Sequence, residues 1–224
     1  MSRVAFSDLR SAAYCPRKCY YDRRRDERDP PATVEHIRSL AFRYEALLEA
    51  DANALAGEPI KTDPDSFRRA LEHTRSKLER ADRWDPICNP AAESVLATGR
   101  DVRGIVHKVL SDPLEPTLVS TGKPPETGVW ESQSVHAVAA AKAIAWEHET
   151  PVEGVWLEYP SYGVVRRLEM TTRRKARYRR VLRTVRELDG PPARIQNDSK
   201  CEACEYAGEC GVRTRTLRSL LGLG

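Results

Sequence analysis

The chain has 224 residues, 40% of them hydrophobic and 31% charged, with a formal net charge of +4. That supplies enough apolar material for one sizeable core. No stretch nears the roughly 20 apolar residues a helix needs to cross a bilayer, and Phe6-Ser7-Asp8-Leu9-Arg10 breaks any signal-peptide run with charge. No internal repeat or low-complexity segment is present. The expected setting is cytoplasmic, without a membrane partner, where six cysteines act as ligands or buried thiols rather than disulfides.

In chain order, Ser7 is placed to cap a short helix ending near Cys15-Pro16, because proline restricts the residue before it. Pro30-Pro31 marks a break. Apolar residues from Val34 through Ile37, Leu40, Ala41, Tyr44, Leu47 and Leu48 follow helical spacing and predict one helix over 33–52. A second helix is predicted over 66–83, with Phe67, Leu71, Thr74 and Leu78 on one side, and residues 85–90 read as a loop. Residues 93–98, 102–110 and 116–120 are short, rich in valine, leucine and threonine, and separated by turns, so they read as strands.

After a loop at 122–128, the alanine-rich stretch 133–147 reads as a helix, and 155–159 with 163–168 as a hairpin. A long helix over 172–188 stops at Gly190-Pro191-Pro192, and a short helix over 213–221 closes the chain. The expected organisation is a single domain over 1–224. It has a mainly helical part over 1–90, a sheet core with flanking helices over 91–190, and a cysteine-bearing end over 191–224. Strands and helices in this order predict an α/β core with a mixed sheet flanked by helices.

Four cysteines carry the strongest chemical signal. Cys201-Glu202-Ala203-Cys204 followed by Cys210 is a spacing that gathers thiolates on a soft metal, and Cys15 near the start can supply the fourth ligand. Such a site ties the two ends of the chain together. Cys19, four residues beyond Cys15, is an alternative ligand if one helix runs through both; Cys88 reads as a buried or loop thiol.

Of the 37 basic residues, 29 are arginine and 8 lysine. The predicted helix over 172–188 has an apolar stripe of Tyr178, Val181, Leu182, Val185 and Leu188. Its other faces carry Arg173, Arg174, Lys175, Arg177, Arg180, Arg183 and Arg186. That excess suits a nucleic-acid backbone; a solvated face with its cations near the helix C-terminus is the other reading.

Tyr14-Cys15-Pro16-Arg17-Lys18, the Arg103-Gly104-Ile105-Val106 entry to a mid-chain strand, the alanine-rich helix and the terminal Cys-x-x-Cys-x5-Cys follow one another in a known order. In this the chain resembles, over nearly its whole length, the CRISPR-associated RecB-like iron–sulfur exonuclease family of the PD-(D/E)XK nuclease superfamily. The resemblance implies a restriction-endonuclease-like mixed sheet whose termini meet at a [4Fe-4S] cluster. It assigns Cys15, Cys201, Cys204 and Cys210 as the ligands, with zinc as the alternative occupant.

It also exposes a departure. The family needs an aspartate on one strand and Glu-x-Lys on the next, to hold Mg2+ or Mn2+ and activate water. Here His107 stands at the aspartate position, and Ser120 or Thr121 at the glutamate, although Lys123 remains. The family's helix-opening glutamine falls on Gln133 or nearer Val138. A histidine in a strand is more often a hydrogen-bonded structural residue than a ligand.

The expected function is therefore DNA binding without catalysis, on single strands or duplex ends, in repair, recombination or CRISPR adaptation. One alternative is an active exonuclease in which Asp101, Glu126 or Glu131 joins His107 around the metal. The other is a protein-interaction module clasped by the cluster, working in a repair or CRISPR assembly.

Overall fold

The computed structural model describes residues 2–25 and 30–211, so the helix expected over 213–221 lies outside the described residues. The chain enters through a two-residue strand β1 (Val4–Ala5) that passes directly into α1 (Phe6–Tyr14). Ala5 precedes this helix with no side-chain cap, so Ser7 lies inside it rather than capping it. Packing replaces the cap: Phe6, Leu9, Ala12 and Ala13 are all buried. Cys15 is extended (φ −158°, ψ 120°) and α2 (Pro16–Asp22) starts afresh at proline, the residue that best tolerates a first helical position.

The single helix expected over 33–52 is broken. α3 (Ala32–Ser39) passes into a 3-10 turn at Leu40–Phe42, then α4 (Tyr44–Glu49) and α5 (Ala52–Ala56) follow as separate pieces. The physical reason lies elsewhere in the chain. The carbonyl of Ala41 accepts a hydrogen bond from buried Lys108 Nζ at 2.6 Å, whereas a continuous helix would commit that oxygen to the residue four positions on. α6 (Pro64–Glu79) starts earlier than the apolar spacing suggests, because the Asp63 side chain caps it by accepting from Ser66 N–H. The predicted loop at 85–90 contains a short helix, α7 (Trp84–Cys88).

Strands β2 (Ala92–Thr98), β3 (Val102–Leu110) and β4 (Glu115–Val119) form successive antiparallel pairs. α8 (Glu131–Glu147) then crosses over to β5 (Gly154–Tyr159), which lies parallel to β4, and β6 (Val164–Glu169) pairs antiparallel with β5. β1 adds a parallel contact to β3, with Val4 opposite Val102. The result is a mixed six-stranded sheet flanked by helices. α9 (Thr172–Arg186) and the short α10 (Asp198–Glu202) complete the described elements.

Helices pack on both faces of the sheet, leaving Leu96 and Ile105 of β2 and β3 exposed. On one side α1, α8 and α9 bury Val106, Leu118, Val155 and Leu157. Ala137, Ala139, Ala140, Ala141 and Ala143 are all buried there, which explains why this helix is alanine-rich: small side chains let it lie close to the strands. On the other side Tyr44, Phe67, Leu71 and Trp84 pack on Leu110, Val119 and Trp156. Gly104 marks a close approach, since a Cβ there would stand 2.3 Å from the Phe6 ring. No helix among the described residues is long and apolar enough to cross a membrane.

Candidate cysteine centre and nucleic-acid interface

Cys15, Cys201, Cys204 and Cys210 line one cavity, together with Tyr14, Tyr21, Tyr206 and the cations Arg17, Lys18, Arg194 and Lys200. Each thiol arrives by a local device. The extended backbone at Cys15 separates α1 from α2. Asn197 caps α10, which carries Cys201, and the Cys204 N–H closes a turn onto the Cys201 carbonyl at 3.2 Å. The Cys210 N–H donates to the Tyr206 carbonyl at 2.8 Å.

Protein contacts hold the two ends together around this cavity. Tyr14 OH donates to the Lys200 carbonyl at 3.0 Å, and Lys200 Nζ returns a bond to the Tyr14 carbonyl at 3.2 Å. Lys18 and Arg25 both pair with Glu205, at 2.6 and 2.8 Å. Tyr206 stacks on Tyr21 with centroids 5.2 Å apart and donates to Asp22 at 2.9 Å. Burial, then the thiols of Cys204, Cys15 and Cys201, raise the Tyr14 pKa. Four cysteines line one cavity, the donor chemistry an iron–sulfur cluster takes, and the surrounding cations would offset thiolate charge. Among the described residues, no three His, Cys, Asp or Glu side chains converge closely enough to hold a single ion.

Cys19 does not join this set. The helix is interrupted at Cys15, and Cys19 lies fully buried in the main core, where burial and then Asp8 push its thiol up to about 12. Cys88 sits beside the second core, and burial likewise raises it to about 12.

Of the positions expected to carry nuclease chemistry, His107 lines a cleft of about 1020 Å³, and Ser120, Thr121 and Lys123 do not. The His107 Nδ1 accepts from Val119 N–H at 3.2 Å. That contact serves backbone left without a ladder partner where β3 and β4 part, since the paired register ends at Lys108 opposite Thr117. Burial, then Arg38, Lys108 and Arg10, depress the His107 pKa to about 4.

Ser120 lies alongside, accepting from Gln133 Nε2 at 2.8 Å, while Tyr159 OH donates to Gln133 Oε1 at 2.5 Å. Gln133 thus reaches the strand, whereas Val138 is buried in the core. Thr121 is half-buried, and Lys123 is exposed on the following loop, where its carbonyl accepts from Trp130 Nε1. Lys123 does not line the cleft. The acids named for a displaced metal site do not gather at His107: Asp101 pairs with Arg186 at 2.7 Å and Glu131 with Arg177. Glu126 is exposed on its loop.

Three cleft residues escaped the reading of the sequence: Arg10, Arg38 and His136. His136 carried a signal, since it follows Gln133 by three positions and so shares its helix face. Arg10 and Arg38 carried none.

On α9 the apolar stripe docks as its spacing suggests, with Tyr178, Val181, Leu182 and Val185 buried. Arg173, Lys175, Arg180 and Arg183 are exposed and make no ion pair among the described residues. Arg177 is engaged by Glu131, and Arg174 donates to the Glu169 carbonyl at 3.0 Å. Arg173, Arg174, Arg177 and Arg180 also line a shallow groove with Ser134 and Val129. Comparison with protein-family models gives no match, and comparison with curated proteins gives none either.

Proposed function

We propose that this protein is a non-catalytic nucleic-acid-binding member of the PD-(D/E)XK nuclease fold, its two ends clasped by a [4Fe-4S] cluster. DNA is the partner, and repair, recombination or CRISPR adaptation is the setting. The observation that carries the binding half is the α9 surface, where Arg173, Lys175, Arg180 and Arg183 stand exposed without an acidic partner among the described residues. Backbone phosphates reward such a row by counterion release.

The non-catalytic half rests on chemistry. Holding a divalent ion for water activation takes paired carboxylates, and the corresponding strand positions carry a histidine bonded to Val119 and a serine bonded to Gln133. Cys15, Cys201, Cys204 and Cys210 would hold the cluster. Bound there, it supplies a covalent clasp between the chain ends, and this chain's own tyrosines and lysines orient the thiol-bearing segments around it. Zinc is the second reading for the same thiols.

A purified sample decides. Broad visible absorbance with stoichiometric iron supports the cluster, and zinc without iron overturns it. Affinity for labelled DNA should fall steeply with salt. Arg173→Ala with Arg180→Ala and Arg183→Ala should flatten the log–log slope by about 2–3, and an unchanged slope would remove α9 from the interface. Labelled ends that survive manganese fit a non-catalytic protein, whereas their metal-dependent loss would establish the exonuclease reading. DNA binding absent at low salt would leave the protein-interaction module.

A further inference from the structure

Within the nucleic-acid reading, the structure carries a second and more specific site. The cleft beside His107 is bounded by α1, α3, the exposed side of β3 and the turn at Ala203–Glu205. Its acids are already matched: Asp22 with Lys18, Glu35 with Arg38, and Glu205 with Lys18 and Arg25. Arg10 is different. It is exposed, lines the cleft, and makes no hydrogen bond or ion pair among the described residues. Burial, then Arg38, lower its pKa. Burial, then Arg10, His107 and Arg38, depress His136.

A guanidinium left without a partner at the mouth of a cleft marks a place where an anion is favoured. The same recess presents apolar groups. Phe42 lines it, and so does Ile105, which is 48% exposed and pairs across the sheet with Leu96, itself 60% exposed. A strand whose bases are unpaired can place a phosphate on guanidinium and a base face on such groups. In a duplex the base faces are stacked and hidden.

We propose that this cleft binds single-stranded nucleic acid without metal, the unpartnered Arg10 holding a phosphodiester beside His107, where a catalytic nuclease would hold its ions, and Phe42 and Ile105 receiving a base. The strand is gripped and not cut, since no carboxylate pair stands there to activate water.

The test is fluorescence anisotropy of a labelled oligothymidylate on the full-length protein, with and without EDTA. Arg10→Ala should weaken binding about tenfold, the loss of one charge-assisted contact. Lys77→Ala, which removes one charge from α6 away from both the cleft and α9, should weaken it about twofold or less. Because Arg10 is exposed and without a partner, the variant should keep its circular dichroism and melting temperature. The imidazole resonances of His107 and His136 should shift on titration with the oligonucleotide, which a role for Arg10 in folding alone would not produce. EDTA should change nothing.

Arg10→Ala binding like wild type, dependence on added metal, or equal affinity for a hairpin duplex would each overturn the cleft site. Those outcomes leave DNA binding on α9 intact. No oligonucleotide binding by the wild type would remove both.

Discussion

Lys108 shows how far a residue can depart from what its type suggests. It lies in β3 with no solvent exposure, its ammonium held by Glu158 at 2.9 Å and by the carbonyls of Ala41 and Ile87 at 2.6 and 2.8 Å. The other Glu158 oxygen accepts from Thr117 at 2.8 Å. Every donor of the ammonium is used, which is the condition under which a buried charge is tolerated. Lys108→Met should cost about 3–5 kcal/mol, because it strands the Glu158 carboxylate. The double variant Lys108→Met with Glu158→Gln should recover much of that in urea unfolding; equal losses would show that shape, not charge, sets the penalty.

His107 makes a second prediction at this scale. Its folded pKa of about 4 lies below its ordinary 6.5, so between those values the unfolded chain binds a proton that the folded one rejects. Stability should therefore fall as pH drops from about 6.5 toward about 4, and be flat with respect to this group above that window. Burial of the imidazole sets the sign first, and Arg38, Lys108 and Arg10 add to it. His107→Gln, which keeps an acceptor for Val119 N–H, should flatten part of that slope in denaturant melts across pH. An unchanged slope would refute the assignment.

Among the elements, those with strong local periodicity are where the sequence places them. The alanine-rich helix and the basic helix emerge as α8 (Glu131–Glu147) and α9 (Thr172–Arg186), and the mid-chain strands keep their places. Elements went astray where a distant group intervened: the helix over 33–52 is interrupted because Lys108, 67 residues away from Ala41, claims a carbonyl there. β1 is too short to show a period, and it is ordered by pairing with β3. The contact between α1 and β3 depends on Gly104, whose Cβ would drive into Phe6. Gly104→Ala should destabilise the protein by about 1–3 kcal/mol through overpacking, with Phe6→Ala restoring part of it in the double variant. Additive losses would show that the two positions do not touch energetically.

For the whole molecule, the meeting of the chain ends is the organising feature. Tyr14 with Lys200 and Lys18 with Glu205 join segments 186 and 187 residues apart. Closing so long a loop restricts the unfolded chain, and a ligated centre there would couple metal binding to folding. On the proposed cluster reading, Cys204→Ser should lose the visible chromophore and most of the iron, and expose the cysteine-bearing end to limited proteolysis while the sheet core survives. Tyr14→Phe should cost only about 1 kcal/mol and keep the metal. Full metal content after Cys204→Ser would remove that residue from the ligand set.

The linear chain by itself determined the α/β order, the amphipathic faces and the spacing of the cysteines, because each depends on residues a few positions apart. Tertiary structure alone decided which cations remain open: Arg177 and Arg186 look like their neighbours in sequence, yet are taken by Glu131 and Asp101. It also set Arg10, Arg38, His107 and His136 around one cleft. The physical reason is that charge pairing and burial follow distance in space, and the Arg186–Asp101 contact spans 85 residues of chain.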